Sequence, residues 1–435
     1  MRTSNQFVRA GVLLALTIAL AGCNINPVSR VPVSTHVSGP DLQKKTTLTA
    51  VTNLVGEWAL VLEDILLSYS SANPEVDIEF NAPGKDYDNV MKIKMATNEM
   101  PDLFSTHGWA KIRYGNFVAD LRDREWSSRV DPAFLPIISD QSGKIYTFAF
   151  DQDKSGPIYN VDVFEKYGIE VPETFSQFMA ACEAIKTRSG GEVTPIACSA
   201  DGWQEAQFFD FFASALFISP ESNYSAQLLD GSFDWGKWDI LAQKWLDMYH
   251  KGYLNQNMLN EKYEDNIKAL ALGKAAIGFY GPYIIDEMKR VNPEVHVDMM
   301  PIPSMAEGDT PTFAGGERST LAVWKDSGNL EAALKVVDFC AMPDNIAKMC
   351  TFTKLPPALT GVNGNFGELT GTYEKYKDLR TLPYFDRIYL PNGMWDVMCK
   401  NSQQLIAGII NERQFSENMK KEYLSLRSYS GLDSR

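Results

Sequence analysis

Segments with the periodicity of strands and segments with the periodicity of helices alternate along this chain from residue 46 almost to its C-terminus. Residues 46–52 (TTLTAVT) alternate as a strand does, the next segment places apolar residues from Trp58 to Tyr69 at helical spacing, and residues 76–80 (VDIEF) alternate again. A strand, a helix and a second strand in succession predict a parallel sheet, because parallel strands need a crossover connection.

The alternation continues without a fixed repeat period. Thr174 and Gln177 have the spacing of a capping box at a helix start. Further helices are predicted at about 237–250, 261–272, 329–341 and 396–412, with short strands at KAAIGFYG and TLAVW between the second and third of these. A chain of 435 residues is long enough for two or three domains. The predicted fold class is therefore α/β, with sheets in more than one lobe.

Composition narrows the class of protein. Hydrophobic residues make up 45% of the chain and charged residues 22%, as in ordinary folded proteins. The 41 Lys and Arg against 55 Asp and Glu leave a net charge of −14. Proteins that bind nucleic acid generally neutralise its phosphates with basic residues, so no nucleic-acid partner is expected, nor a polybasic membrane dock.

The N-terminus is predicted to direct export. Arg2 and Arg9 precede an apolar run over residues 10–21, whose 12 residues are too few for a spanning helix of about 20. The motif Leu-Ala-Gly-Cys, which ends at Cys23, resembles the lipobox of bacterial lipoproteins, in which the cysteine is diacylated and becomes the new N-terminus. We predict a signal peptide over 1–22 and a lipidated Cys23 with a flexible tether over 23–45. An ordinary signal peptide is the alternative.

Five further cysteines follow Cys23. In an exported protein Cys182–Cys198 and Cys340–Cys350 can form disulfides, and burial as small apolar residues is the alternative for these four and for Cys399. The four histidines are far apart in sequence and no metal-binding motif is present, so neither a metal nor another cofactor is expected.

The common catalytic motifs are missing from the chain. It contains no Gly-x-Ser-x-Gly elbow, no phosphate-binding Gly-x-x-x-x-Gly-Lys-[Ser/Thr] loop and no Gly-x-Gly-x-x-Gly fingerprint. Aromatic residues stand instead in polar loops: Trp109, Trp203, Tyr280, Tyr283 and Trp395. Apolar rings beside polar neighbours suit a ligand with both C–H faces and hydroxyls, as sugars have. Trp58, Trp238 and Trp245 lie on regular helical stripes and are predicted to be core.

Four segments, in order, are similar to one family. They are MATNEMPDLF, SGPIYNVDVFEKYGIEVPETFSQF, ALGKAAIGFYGPYI, and FAGGERSTLAV followed by NLEAALKVVDFCAMPD. Through them the chain resembles the family 1 extracellular solute-binding proteins, the maltose-binding-protein-like receptors of bacterial ABC importers. The resemblance implies a two-lobe periplasmic-binding-protein-like α/β fold with a hinge and an interlobe ligand cleft. Lobe one would comprise 46–152 plus 315–365, and lobe two 155–312 plus 368–435.

The same resemblance implies the function. We expect a monomeric receptor, without enzyme activity, that captures a mono- or oligosaccharide and delivers it to the transmembrane permease subunits of an ABC transporter with a cytoplasmic ATPase. The expected location is the extracytoplasmic face of the cell membrane, held there by the N-terminal lipid alone.

By matching position, the resemblance also implies the ligand contacts. These are Glu57, His107, Trp109, Asp151, Trp203, Tyr280, Tyr283, Glu317, Arg318 and Trp395. Carboxylates accept hydrogen bonds from sugar hydroxyls, an arginine donates in a fixed fork, and aromatic rings cover sugar faces. For Glu57, Asp151 and Glu317 the alternative is a hinge or capping interaction, and Asp102 is assigned to structure. Lys111 and Arg113 are interpreted as solvated loop charges, with recognition of a charged sugar as the alternative.

Two other functions remain open from sequence alone. One is a surface glycoside hydrolase, in which two of Asp151, Glu317 and the other cleft acids serve as acid and base. The other is a sensory relative that uses the same cleft to signal to a kinase.

Overall fold

The computed structural model describes residues 45–132, 134–201 and 203–429. The predicted signal peptide, Cys23 and the tether up to residue 44 lie outside the described residues. The strands are β1 Thr46–Val51, β2 Val76–Asn81, β3 Leu103–Phe104, β4 Phe148–Ala149, β5 Gln152–Ser155, β6 Ile158–Asn160, β7 Thr194–Ala197, β8 Ile218–Ser219, β9 Ser222–Asn223, β10 Ala275–Gly278, β11 Val297–Met299, β12 Phe313–Glu317, β13 Thr320–Val323 and β14 Thr381–Pro383.

Helices make up most of the rest. They are α1 Gly56–Ala72, α2 Tyr87–Thr97, α3 Leu135–Ile138, α4 Val161–Tyr167, α5 Phe175–Arg188, α6 Gln204–Phe217, α7 Ser225–Asp230, α8 Asp239–His250, α9 Tyr263–Ala271, α10 Ile284–Val291, α11 Leu330–Cys340, α12 Pro343–Thr353, α13 Thr370–Lys375, α14 Phe385–Tyr389, α15 Met394–Ile406 and α16 Glu412–Tyr429. Short 3-10 turns span Gly84–Asp86, Glu125–Arg129, Trp235–Trp238 and Gly367–Leu369.

The first sheet has the strand order β2-β1-β3-β13-β4. Strands β2 and β3 both run parallel to β1, as the opening strand, helix and strand predict, whereas β13 is antiparallel to β3 and to β4. Helices α1, α11 and α12 pack together beside this sheet and bury its core. Asp102, assigned to structure, accepts hydrogen bonds from the Thr49 amide at 2.8 Å and from the Ser327 hydroxyl, which fixes the start of β3.

The second sheet has the order β11-β6-β10-β7 and a core of its own. Its centre is α6, in which nearly every residue is buried, including four phenylalanines between Phe208 and Phe212. A helix that is buried on nearly every side must be enclosed by its neighbours, and α8 and α15 pack against this one. Trp238 and Trp245 are fully buried there, which confirms their prediction as core residues.

Two of the chain crossings between the sheets run side by side. Strand β5 leads from β4 of the first sheet to β6 of the second, and β12 lies on the return path to β13. The two crossings pair antiparallel, from Glu317 opposite Gln152 to Ala314 opposite Ser155, and β14 adds a third strand. Strands β5 and β12 approach each other closely at Gly315. A Cβ on this residue would lie 1.9 Å from the Asp153 carbonyl oxygen, so only glycine fits.

The predicted helices are found with one correction. The capping box of Thr174 and Gln177 opens α5 as predicted. The helix predicted over 396–412 ends at Ile406 instead, because Gly408 adopts a left-handed conformation (φ +68°) that stops it, and α16 begins at Glu412. Ile409, which lies within the predicted range, is 67% exposed.

The cysteines Cys182, Cys198, Cys340, Cys350 and Cys399 are all buried free thiols, so the alternative without disulfides is confirmed. Within the described ranges, no three His, Cys, Asp or Glu side chains are grouped so that they could hold a metal ion. None of the helices described between residues 45 and 429 combines the length and apolarity that a membrane crossing requires.

Candidate ligand-binding cleft

A cleft of two connected compartments lies between the elements that carry the two sheets. The inner compartment, of about 500 Å³, is lined by Asp88, His107, Trp109, Trp203, Gln207, Gly281, Tyr283, Arg318, Tyr384, Asp386, Arg387, Asn392, Gly393, Trp395 and Asp396. The outer compartment, of about 680 Å³, is lined by Val55, Gly56, Glu57, Trp58, Asp201, Trp203, Gln204, Tyr263, Tyr283, Asp286, Glu287, Arg290, Arg318 and Phe352. Trp203, Tyr283 and Arg318 belong to both. Each volume is typical of a small-molecule site.

Most of the residues predicted as ligand contacts line this cleft. They are Glu57, His107, Trp109, Trp203, Tyr283, Arg318 and Trp395. Asp151, Tyr280 and Glu317 do not line it. These three are fully or almost fully buried behind the cleft wall and hold the groups that form it.

Each of the three buried residues has an identifiable structural role. Asp151 accepts hydrogen bonds from the amide and the hydroxyl of Ser319, at 3.0 and 2.8 Å, and so ties the two chain crossings together. Glu317 accepts from the Ala110 amide at 2.7 Å and from the Thr106 hydroxyl, which anchors the loop between them. The Tyr280 ring lies edge-on beneath Trp203 at 5.9 Å. The hinge alternative therefore describes Asp151 and Glu317 better than ligand contact does.

The loop after β3 brings His107 and Trp109 to the inner compartment. His107 and Gly108 both have positive φ, +50° and +87°, which is uncommon for a residue other than glycine. A Cβ on Gly108 would lie 2.3 Å from Cδ of Arg387, so only glycine lets the arginine approach. Burial, and then the nearby guanidinium groups of which Arg387 is the first, lower the pKa of His107 well below its usual range. A neutral imidazole offers one hydrogen-bond donor and one acceptor to a ligand.

Arg113 supports Trp109 from behind. Its guanidinium carbon lies 3.8 Å from the centre of the Trp109 ring, and its Nη1 donates to Asp88 at 2.7 Å. Lys111 donates to the carbonyl oxygens of Pro136 and Ser139. Neither residue lines the cleft, as expected, but the interpretation as solvated loop charges is wrong, because Arg113 is packed under a ring and only 9% of its side chain is exposed.

The wall opposite this loop was not predicted. Residues Tyr384 to Arg387, around the start of α14, contribute a ring and two charged groups to the inner compartment. The Arg387 guanidinium lies 4.8 Å from the Tyr384 ring centre and 5.5 Å from that of Trp109, so it reaches across the cleft. A helix of five residues has too little periodicity to be recognised from sequence. The only available signal is the cluster Tyr-Phe-Asp-Arg a few residues before Trp395.

Asp386 and Asp210 form a buried acidic pair behind Arg387. The Asp386 amide donates to Oδ1 of Asp210 at 2.8 Å. Burial, and then the neighbouring Asp210, raise the pKa of Asp386 to about 8, and burial raises the pKa of Asp210 to about 7. Part of this pair is therefore protonated near neutral pH, and a protonated carboxyl can donate as well as accept.

Three residues of the inner compartment carry buried polar atoms without hydrogen-bond partners among the described residues. The atoms are Nδ1 of His107, Nε2 of Gln207 and Nη1 of Arg387. Buried polar atoms in native proteins are almost always paired, because an unpaired one loses its hydration without compensation. Three such atoms around one compartment indicate a site for a ligand rich in hydrogen-bonding groups.

The outer compartment is more exposed and more acidic. Glu57 and Arg290 form an ion pair at 3.5 Å with 69% and 65% of their side chains exposed. Trp58, predicted to be core, packs only partly against the first core and lines this compartment. The reason is its place in the first turn of α1, which lies beyond the carboxyl end of β1, where ligands bind in open α/β sheets.

Known proteins share this architecture. A sequence model of the bacterial extracellular solute-binding protein family matches residues 52–347. The melibiose/raffinose/stachyose-binding protein MelE of Bacillus subtilis (strain 168) is 36% identical over 420 residues, which cover 96% of each chain. A solved B. subtilis binding protein in an open conformation is 35% identical, with a TM-score of 0.84 over 89% of this chain and 99% of that one. A sugar transporter protein of Bacillus licheniformis, solved with stachyose, is 38% identical, with a TM-score of 0.78 over 88% of this chain and 100% of that one.

These similarities confirm the predicted two-lobe, periplasmic-binding-protein-like α/β fold and the predicted family. Members of this family bind a solute and leave it chemically unchanged, so the alternative of a glycoside hydrolase is wrong. This chain belongs to the bacterial extracellular solute-binding proteins.

Proposed function

We propose that this protein captures a neutral oligosaccharide of the melibiose, raffinose and stachyose type in its cleft and delivers it to an ABC importer. The observation that carries the proposal is the inner compartment, where aromatic rings stand beside buried polar atoms that find no partner in the described part of the chain. A relative 36% identical is named for binding those three sugars, and one 38% identical was solved with stachyose.

The side chains of the inner compartment match the chemistry of a sugar. Trp203, Tyr283 and Trp395 offer apolar faces to the C–H surfaces of sugar rings. Arg387 and Gln207 donate hydrogen bonds to hydroxyl oxygens, and the carboxyl of Asp386 accepts from hydroxyl protons. Acidic side chains outnumber basic ones around the outer compartment, which favours a neutral sugar over a sugar acid.

Capture depends on closure of two lobes. We assign lobe one to 46–152 plus 315–365 and lobe two to 155–312 plus 368–435, which places each of the two larger sheets mainly in one lobe and the paired strands β5 and β12 at the hinge. A sugar that contacts both walls binds the closed form better than the open form and so shifts the hinge equilibrium toward closure.

Delivery places the protein at the outer face of the cell membrane. We assign the anchor to the lipid on Cys23, followed by the tether, and the partners to the transmembrane permease subunits with their cytoplasmic ATPase. The protein acts as a monomer, since each chain carries a complete cleft.

Thermal denaturation of the purified full chain with melibiose, raffinose or stachyose tests this proposal. A ligand at 100 times its Kd stabilises the folded state by about 2.7 kcal/mol, which raises the Tm measurably. We expect at least one of the three sugars to raise the Tm and to be recovered intact by chromatography, and glucuronate, as an acidic control, to have no effect. An unchanged Tm with all three sugars would contradict the proposal.

A further inference from the structure

Three side chains meet where the inner and outer compartments join. The guanidinium carbon of Arg318 lies 4.7 Å from the ring centre of Trp58 and 5.5 Å from that of Tyr283. The two rings stand edge to face with their centres 6.2 Å apart. Arg318 and Tyr283 line both compartments, so this assembly borders the passage between them.

The assembly joins elements that belong to different cores. Trp58 is on α1, which packs against the first core, and Tyr283 directly precedes α10, which packs against α9 on the side of the second sheet. Arg318 stands in the turn between β12 and β13, and its Nη1 donates to Oδ2 of the buried Asp153 at 3.2 Å. The arginine is thus fixed at the chain crossing, with one ring from each lobe beside it.

Two ion pairs lie beside the assembly and connect the same two sides of the cleft. Glu57 next to Trp58 pairs with Arg290 of α10 at 3.5 Å, and Lys354 at the end of α12 pairs with Asp286 of α10 at 3.2 Å. The Glu57–Arg290 pair is exposed, and exposed ion pairs contribute little individually, whereas only 17% of the Lys354 side chain is exposed. These pairs and the aromatic and guanidinium contacts together connect the two sides of the cleft.

We propose that Trp58, Arg318 and Tyr283 form a gate that selects sugars by length, an inference that rests on the proposed function. A sugar confined to the inner compartment leaves the gate closed and keeps its contacts between the lobes. A longer sugar that extends into the outer compartment passes Tyr283 and Arg318 and must separate Trp58 from them. Each longer sugar therefore loses ring and guanidinium contacts that a shorter sugar retains.

A stacking role for Trp58 predicts the opposite change in relative affinity from a gate. If Trp58 were a stacking surface for an outer sugar ring, its removal would weaken the binding of long sugars. If Trp58 closes a gate, its removal favours long sugars relative to short ones. The sign of the change in relative affinity therefore decides between the two roles.

Isothermal titration of the full-length Trp58→Ala variant with melibiose and stachyose measures that sign. We expect the affinity for stachyose relative to melibiose to rise by about threefold to thirtyfold, the factor that a cation–π contact represents. Trp58→Phe keeps a ring in place and is expected to retain the wild-type ratio. Leu60→Ala is the matched control, because Leu60 is an exposed apolar residue of the same helix that lines neither compartment. A ratio that is unchanged or falls in Trp58→Ala would overturn the gate.

A measurement without sugar separates this inference from the proposed function. Wild-type protein that binds neither sugar would refute the proposed function alone. Small-angle X-ray scattering of the unliganded proteins then tests the gate, because loss of its contacts populates more open lobes. We expect a larger radius of gyration for Trp58→Ala than for wild type or Leu60→Ala, and equal radii would overturn the gate.

Discussion

The two compartments of the cleft contain similar residue types but differ in how far their polar groups are exposed to water. The inner compartment combines rings with buried polar atoms that have no partner within residues 45–132, 134–201 and 203–429, and with a loop held in a left-handed conformation at His107. The outer compartment places its charges in water, where Glu57 and Arg290 pair with most of their surfaces exposed. Buried polar groups interact strongly with a ligand because water does not compete, whereas exposed pairs are screened. We therefore expect the inner compartment to determine whether a sugar binds and the outer one to modulate which length is preferred.

Replacing Arg387 by methionine is the strongest test of this contrast. Its buried Nη1 has no partner among the described residues, so we expect a sugar hydroxyl to supply one. Hydrogen bonds to charged groups contribute about 1.5–3 kcal/mol, so sugar affinity should fall by about tenfold to a hundredfold by calorimetry. Arg122→Met, which removes a half-exposed arginine that lines neither compartment, should leave affinity unchanged. Equal affinities for both variants would place the sugar elsewhere.

The buried acids of the inner compartment predict a pH dependence of stability. An unfolded aspartate titrates near pH 4, whereas burial and Asp210 raise the pKa of Asp386 to about 8. Between these values the folded chain holds a proton that the unfolded chain releases, so the stability from this group is present at low pH and is lost as pH rises toward 8. Asp386→Asn carries no such charge.

We therefore expect the free energy of unfolding of Asp386→Asn, relative to wild type, to increase by about 1.4 kcal/mol or more from about pH 5 to about pH 8. Urea denaturation at both pH values measures this difference. Asp326→Asn removes an exposed carboxylate and should show no such trend. The same pH trend of the unfolding free energy in both variants would contradict a special contribution from the buried Asp386.

Gly108→Ala tests whether the inner loop must approach Arg387 closely. The new Cβ would lie 2.3 Å from Cδ of Arg387 and displace it, so we expect sugar affinity to fall by about tenfold. Gly308→Ala is matched, because Gly308 also has a positive φ of +78° but no atom within 4 Å of the new methyl group. Both variants should lose stability, and only Gly108→Ala should lose affinity in titrations. Loss of affinity in both would assign the effect to backbone strain.

Glu57→Gln should have the smallest effect, because it removes one exposed ion pair of the outer compartment. Such pairs contribute about 0.2–1 kcal/mol, so affinity for melibiose should fall by less than about fivefold. Titration at about 1 M salt should abolish the difference from wild type, since the screening length is then about 3 Å. Glu63→Gln, on the same helix but lining neither compartment, serves as the control. A large effect that persists at high salt would show that this pair is not a screened surface interaction.

Features with a local signal follow directly from the sequence. Thr174 and Gln177 sit three residues apart and cap α5, and parallel pairing of β1 with β2 follows from the helix between them. A residue whose role depends on distant partners cannot be assigned in this way. Glu317 has the chemistry of a sugar contact, but Thr106 and Ala110 surround it. Trp58 follows a helical stripe, yet the helix projects past the sheet edge, where the stripe faces the cleft.

The sequence by itself determined the α/β class, the family and seven of the residues that line the cleft, because strand and helix periodicity and short motifs depend on only a few neighbouring positions. Only the tertiary structure decided which polar groups are satisfied by the protein and which are left for a ligand. Asp151 and Arg387 look equally suited to bind a sugar in sequence. Ser319 occupies the hydrogen-bonding atoms of Asp151, whereas Nη1 of Arg387 is buried without a partner among the described residues. That difference depends on contacts between residues far apart in the chain, which folding alone brings together.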